Sequence, residues 1–317
     1  MTRDQLETRQ IPLYLVTVVA AIALGLLAPR VGDRLETLVT PAIAVLMYAM
    51  FLQIPFLDLR QSLANRRFIA ALLLANFVLV PLLVWAITRP LTAHPALLIG
   101  ALLVLLTPCI DYVVVFTHLG RGDARSTLAA TPLLLVLQLL LLPLYLSLML
   151  DDGHDVALSV APFVEAFVLL IVLPLALAVL SHLGARRARP IERWCTAWGW
   201  MPVPAMALVL LAVIGSQIAT LAQDAARLLP LLPVYLGFML IAPCLGWGCA
   251  RLLQLPVEAS RSVSFSAATR NSLVVLPLAL ALPEELRALA AAAVICQTLV
   301  ELLGELIYIR LIPTLVR

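Results

Sequence analysis

Length, composition and charge together exclude a soluble globular protein. The chain has 317 residues, of which 63% are hydrophobic and 12% are charged, and its formal net charge is +3. Soluble domains carry roughly 25% charged residues, so this composition predicts an all-α integral membrane protein in contact with membrane lipid. Lysine is absent and the arginines are spread over short connections, which argues against a nucleic-acid partner.

Ten hydrophobic segments are long enough to span a bilayer, because a span needs about 20 apolar residues. These predicted spans begin near Ile11, Glu36, Phe68, Pro95, Ser126, Ser159, Cys195, Leu228, Ser260 and Leu286. Most arginines fall in the connections on the side that holds both termini, so the positive-inside rule predicts cytoplasmic termini in a plasma membrane. The polar first ten residues lead directly into span one, and we interpret them as a mature cytoplasmic end rather than a signal peptide.

The ten spans divide into two halves, which we predict to be five-helix repeats at residues 1–154 and 155–317. Because each half holds an odd number of spans, the second is inverted relative to the first. The fourth span of each half is polar and contains a proline, Pro108 in one half and Pro277 in the other. Proline disturbs a helix, and broken helices at matching positions of two halves point to a binding site near the membrane midplane.

Spans four and nine each carry a charge that is costly inside a bilayer, at about 2.5–3.5 kcal/mol on insertion scales. Arg270 lies midway along span nine and does not lose its proton, so it requires an acid or a polar cavity. Asp111 is its natural partner if the two spans cross. The residues leave open whether this pair is structural or contacts the substrate.

Span ten carries two acids on one helical face, Glu301 and Glu305, which are four residues apart. Two carboxylates in a low-dielectric place resist simultaneous ionisation, so one of them is expected to hold a proton. That is the chemistry of a proton carrier. Glu305 is closer to the cytoplasmic end, and a simple ion pair with Arg310 is the alternative for this residue.

The sequence predicts neither an enzyme nor a metal site. No connection is long enough to fold as a soluble catalytic domain, and the five cysteines show no metal-ligand spacing. No cofactor is therefore expected. Cys109 differs from the other cysteines because it follows Pro108 in span four and precedes Asp111 by two residues.

Several stretches resemble the arsenite-efflux permeases of the bile acid/sodium symporter superfamily, and the resemblance covers nearly the whole chain. They are "NFVLVP" from Asn76, "TPC" with Cys109 fourteen residues before the Asp of "GRGD", and "LVE" ending at Glu301. The resemblance implies a ten-helix inverted-repeat transporter with a panel domain and a core domain, in which spans four and nine cross. It also implies arsenite export coupled to protons, with Cys109 and Glu301 as functional residues.

The sodium-coupled branch of that superfamily carries Ser-Asn on span four and an acid before Gln-Asn on span nine. Registering this chain on "GRGD" and Asn271 puts Val113 and Val114 at the first pair. Ser266 then stands at the acid and Arg270 at the Gln, so sodium coupling is not expected.

Asp111 and Arg270 also depart from the arsenite pattern, which leaves a second class of substrate open. The alternative is an organic anion or oxyanion held by Arg270. In either case a small solute and protons are the expected partners, and the oligomeric state is left open. The residues expected to contact the substrate are Cys109, Asp111, Arg270 and Asn271, and those expected in proton coupling are Glu301 and Glu305.

Overall fold

The protein is built of α-helices in this computed structural model, which describes residues 10–53, 65–110, 112–150, 168–223 and 225–317. The α-helices are α1 Gln10–Leu27, α2 Pro29–Phe51, α3 Arg66–Leu74, α4 Val80–Thr88, α5 Pro95–Leu105, α6 Val113–Leu119, α7 Ala124–Leu150, α8 Leu173–Ala185, α9 Arg189–Trp198, α10 Pro202–Gln223, α11 Ala225–Leu228, α12 Leu231–Leu252, α13 Val257–Ala268, α14 Ser272–Leu280 and α15 Glu284–Leu315. Two π-helical turns, Ala75–Leu79 and Val168–Val172, precede α4 and α8.

Helices overlap every predicted span, but few of them form one uninterrupted helix of membrane length. By length and composition 4 helices in the described part of the chain qualify, or up to 6 if each bent pair counts as one span. The four are Arg66–Leu91, Ala124–Leu150, Leu231–Leu252 and Glu284–Leu315. The architecture is therefore that of an all-α multi-pass membrane protein, whereas the number ten and the inverted repeat stay predictions. The predicted start of span six, Ser159, lies outside the described residues.

Span seven contains a bend close to its predicted start. Cys195, its predicted start, lies in α9, a short helix that meets the following helix at an angle of 47°. No residue of α9 is buried. The sequence of α9, RPIERWCTAW, has an apolar face and a charged face, and such helices tend to form separate interfacial elements.

The chain forms two compact units, and each unit combines residues from both predicted repeats. The first unit comprises Met1–Ile54 and Ser159–Ala226, and the second comprises Pro55–Leu158 and Arg227–Arg317. In the first unit α10 packs against α1 and α2. The repeat boundary between residues 154 and 155 stays a prediction.

The second unit contains the polar residues of spans four, nine and ten. Within it α5 and α15 approach closely, because a Cβ atom on Gly100 would lie 2.5 Å from the carbonyl oxygen of Ala290. Helices α12 and α13 are equally close, since a Cβ on Gly246 would lie 2.6 Å from the carbonyl oxygen of Val263. These glycines allow backbone-to-backbone packing around the polar residues.

Candidate functional site

Span four is interrupted between the end of α5 at Leu105 and the start of α6 at Val113. Pro108 lies in this interruption and has no backbone N–H, so an α-helix does not continue through it undisturbed. The hydroxyl of Thr107 donates to the helical carbonyl of Leu103 at 3.0 Å and so closes the last turn. Asp111 belongs to the same stretch of sequence but lies outside the described residues.

Span nine is interrupted between the end of α13 at Ala268 and the start of α14 at Ser272. Thr269 is extended, with φ −92° and ψ 129°, and the side-chain oxygen of Asn271 accepts from the N–H of Val274 at 3.2 Å. Asn271 therefore acts as the N-terminal cap of α14. The break precedes Pro277, so the proline on which the prediction for this span relied does not mark the break.

The two interruptions pair with each other through their backbones. The N–H of Cys109 donates to the carbonyl of Thr269 at 3.1 Å, and the N–H of Asn271 donates to the carbonyl of Thr107 at 2.8 Å. Pro108 and Arg270 are thus opposite each other in an antiparallel bridge. Broken helices leave backbone groups that need partners inside a membrane, and each break supplies them for the other. We call this pairing the crossing.

The guanidinium of Arg270 lies at the ends of both half-helices that enter the crossing. It is completely buried, and its Nη2 donates to the carbonyls of Ser266 at 2.7 Å and Ala267 at 2.8 Å, in the last turn of α13. Its Nη1 lies 3.4 Å from the carbonyl of Leu105, the last residue of α5. Its Nη2 also donates to Oδ1 of Asn76 at 2.7 Å, so the two protons of Nη2 are shared among three acceptors. A cation at two helix C-termini is stabilised by both helix dipoles.

The carboxyl group of Glu301 connects span ten to both broken spans. It is completely buried, with Oε1 at 2.6 Å from the hydroxyl of Tyr112 and Oε2 at 2.9 Å from the backbone nitrogen of Arg270. The side-chain amide of Gln297, one turn earlier on α15, also donates to Oε2. The acid therefore contacts span four through Tyr112 and span nine through Arg270.

Glu305 lies one turn further along the same face and is also completely buried. Its Oε1 is 2.7 Å from the hydroxyl of Thr269, and that hydroxyl is also 2.7 Å from the carbonyl of Phe265. A threonine hydroxyl has one proton, so both contacts are filled only when Glu305 carries a proton. Arg310, the alternative partner of Glu305, is exposed, and the buried contact of Glu305 is with Thr269.

The structure brings most of the predicted site residues together in the second unit. Cys109 is completely buried at the crossing and lies within electrostatic range of Arg270. Because Asp111 lies outside the described residues, its ion pair with Arg270 stays a prediction. The predicted residues that lie at the crossing or on the facing side of α15 are Cys109, Arg270, Asn271, Glu301 and Glu305.

Four residues of this site were missed by the sequence reasoning. Gln297 had a usable signal, because it precedes Glu301 by four residues and so shares its helical face. Thr269 and Tyr112 are neighbours of predicted residues, but nothing in the sequence indicates that their hydroxyls meet the acids of span ten. Asn76 lies in the π-helical turn Ala75–Leu79, a feature that often marks functional sites but has no pattern in the sequence.

Comparisons with known proteins bear on the transport role. A family model described as Sodium Bile acid symporter family matches residues 40–224, which include the interruption of span four and end before span nine. The chain is 26% identical over 171 residues to a protein of Oryza sativa subsp. japonica described as probable sodium/metabolite cotransporter BASS2, chloroplastic. That alignment covers 54% of this chain and 40% of the rice protein, so the chain matches less than half of the relative's length.

Proposed function

The chain belongs to the Sodium Bile acid symporter family, and we propose that it is a secondary active transporter that exports arsenite in exchange for protons. The single observation that carries this proposal is the buried carboxyl group of Glu301, which is hydrogen-bonded to both broken spans at the crossing. We further propose inverted repeats at residues 1–154 and 155–317, and a plasma-membrane location with both termini in the cytoplasm.

Glu301 is suited to carry a proton because its hydrogen-bond partners fit both protonation states. As a carboxylate it accepts from the hydroxyl of Tyr112 and from the backbone N–H of Arg270. Protonated on Oε1, it donates to the oxygen of Tyr112, whose own proton then reaches the carbonyl of Arg270 at 2.9 Å. The carboxyl group of Glu301 therefore keeps hydrogen-bond partners of its own in either protonation state, which lowers the cost of gaining and losing a proton inside the membrane. Glu305 is the proposed second acid of the proton path.

Cys109 is the proposed ligand of arsenite. Arsenous acid is uncharged and thiophilic, and its capture by one thiol forms an As–S bond and breaks an As–O bond, while the leaving hydroxyl takes up the thiol proton and departs as water. One such bond is reversible, whereas three thiols would trap the solute. Cys109 is completely buried here, so the solute reaches it when the crossing opens. Asp111, Arg270 and Asn271 are the proposed remaining residues of the substrate site.

Arg270 is proposed to replace a coupling cation. Its guanidinium lies against the C-terminal carbonyls of α5 and α13, where the helix dipoles favour positive charge. A permanent charge in that position needs no bound metal ion, so we expect transport that is indifferent to sodium. Asp111 is the proposed counter-charge.

A second candidate function is transport of an organic anion or oxyanion, with Arg270 as the anion's partner and Cys109 incidental. The observation that favours it is the buried Nε of Arg270, which has no hydrogen-bond partner among the residues that the structure describes. This donor would be available to an anion. The two terminal nitrogens of the same guanidinium already donate to protein oxygens, which supports the arsenite proposal instead.

Uptake into everted membrane vesicles separates the two candidates. Arsenite, arsenate and a set of organic anions are compared with and without a pH gradient, and in sodium and in choline. We expect uptake of arsenite that depends on the pH gradient and not on sodium. Uptake of arsenate or an organic anion without arsenite would establish the alternative. Vesicles that contain the Glu301→Gln protein at equal abundance control for passive entry.

A further inference from the structure

Tyr112 has one proton to share between a carboxyl group and a backbone carbonyl. Its hydroxyl oxygen lies 2.6 Å from Oε1 of Glu301 and 2.9 Å from the carbonyl oxygen of Arg270. A phenolic hydroxyl donates one hydrogen bond. The second contact needs a proton from the other partner, and a carbonyl has none. Both contacts are therefore filled only when Glu301 is protonated and donates to Tyr112.

The side chains of Glu301 and Tyr112 bind the backbone N–H and carbonyl of Arg270, on the side that faces away from Pro108. In the bridge with Pro108, the hydrogen bonds run between the flanking residues, so the N–H and carbonyl of Arg270 point away from Pro108. The N–H meets Oε2 of Glu301 at 2.9 Å, and the carbonyl meets the hydroxyl of Tyr112. Glu301 and Tyr112 thus take the place that a third strand would occupy.

We propose that Tyr112 is a positioning residue that transmits the protonation state of Glu301 to the crossing. With Glu301 protonated, Tyr112 donates to the carbonyl of Arg270 and the outer edge of the crossing is fully bonded. When Glu301 loses its proton, Tyr112 donates to the carboxylate and the carbonyl of Arg270 loses its donor. Buried backbone groups without partners are costly, so the crossing opens more readily in the ionised state. This inference rests on the proposed proton coupling.

Among the residues that the structure describes, Tyr112 is the one whose hydroxyl contacts both Glu301 and the carbonyl of Arg270. Tyr112 is oriented by Phe116, whose ring meets it edge-on with centroids 6.0 Å apart. Asp111 lies outside the described residues. In the described part of the chain, the charged or titratable groups that interact with Glu301 are Tyr112, Arg270, Glu305 and Tyr308, whereas Cys109 interacts with Arg270.

The first test compares net transport with exchange in proteoliposomes. Tyr112→Phe removes only the hydroxyl, and Tyr235→Phe is the matched control because the hydroxyl of Tyr235 donates to the carbonyl of Ala293 at 2.9 Å, away from any acid. Arsenite exchange at equal pH on both sides needs no net proton transfer. We expect Tyr112→Phe to lower the ratio of pH-driven transport to exchange at least about fivefold, the effect of losing one hydrogen bond. Tyr235→Phe should keep the parental ratio.

The second test needs no transported solute. In a protein that keeps Cys109 as its single cysteine, alkylation by a membrane-permeant maleimide reports opening of the crossing, because Cys109 is buried there. Rates at acidic and alkaline pH are divided by those of Glu301→Gln, which removes the intrinsic pH dependence of the thiol. We expect this ratio to change with pH in the parent and to be constant in Tyr112→Phe.

The outcomes distinguish the inference from the function on which it rests. A parent with no pH-driven transport of arsenite would contradict the proposed function, while the alkylation test would still decide the role of Tyr112. A parental transport ratio or a parental alkylation profile in Tyr112→Phe would overturn the inference alone. Equal losses of exchange and net transport in Tyr112→Phe would assign Tyr112 a purely structural role and would also overturn it.

Discussion

Replacing Arg270 with methionine should destabilise the protein partly through the lost contact with Asn76. Methionine keeps most of the side-chain length but removes the charge and every donor. In the parent, Nη2 of Arg270 lies 2.7 Å from Oδ1 of Asn76, and both residues are completely buried. A hydrogen bond to a charged group contributes about 1.5–3 kcal/mol. We therefore expect Arg270→Met to lower the free energy of unfolding by about 1.5–3 kcal/mol more when Asn76 is present than when leucine replaces it.

The measurement is a double-mutant cycle of unfolding in detergent solution. It uses the parent, Arg270→Met, Asn76→Leu and the double variant. Asn76→Leu also removes the bonds that its amide donates to the carbonyl of Leu72 and the hydroxyl of Ser266. Those losses occur in both proteins that carry Asn76→Leu and cancel in the cycle. Arg261→Met is the matched control, because its guanidinium donates to backbone carbonyls near the C-terminus and its cost should not depend on Asn76.

A coupling energy within about 0.5 kcal/mol of zero would refute this reasoning, because independent sites add to within that margin. The helix-end carbonyls would then account for the environment of Arg270 without Asn76. A coupling as large between Arg261 and Asn76 would show that the cycle reports a general loss of packing.

The remaining predictions concern transport and the role of Asp111. Cys109→Ser should abolish arsenite transport in a folded, inserted protein, because a hydroxyl keeps the volume but does not ligate As(III); vesicles that still move arsenite at the parental rate would contradict thiol coordination. Glu301→Gln should block pH-driven exchange, since an amide does not titrate, and retained exchange would transfer the role to Glu305. Arg270→Ala should leave Asp111 as an unpaired buried acid at a cost of about 3–5 kcal/mol, and adding Asp111→Ala should recover thermal stability; strictly additive effects would mean that the two residues do not meet. Transport by the parent should be equal in sodium and in choline, and a requirement for sodium would refute the proposal that Arg270 replaces a coupling cation.

The chemistry of the candidate site could be found in the sequence because charges inside a bilayer need a reason. Arg270 and Glu301 were visible as charges in otherwise apolar stretches. Asn76 was not recognised as a site residue, because one amide in an apolar span is unremarkable and its partner is 194 residues away in sequence. Tyr112 was missed for the same reason, since an aromatic residue near a helix break has many possible partners. Contacts between distant spans depend on packing that local patterns do not encode.

The location of the break in span nine shows a second limit of prediction from the sequence. Proline was the natural marker, but α14 continues past Pro277 and the break falls at Thr269–Asn271. The bonds of the Arg270 guanidinium to the last turn of α13 and the cap formed by Asn271 define this break. Both are tertiary or capping interactions of polar residues, and the position of a proline in the sequence does not indicate them. That the chain spans a membrane was easier to predict, because bilayer thickness sets the length of apolar segments, whereas the number of ten spans stays a prediction.

The backbone pairing between the two broken spans at the crossing is one residue pair wide. Pro108 has no N–H to offer, and the backbone groups of Arg270 opposite it point outward to Glu301 and Tyr112. The bridge is closed by the bonds of Cys109 and Asn271, and on span nine α13 ends and α14 begins directly beside it. Two strands joined at a single point are able to swivel about it, whereas a longer ladder would resist rotation. While the crossing is closed, the half-helices on either side of it can therefore change their angle without breaking its two hydrogen bonds.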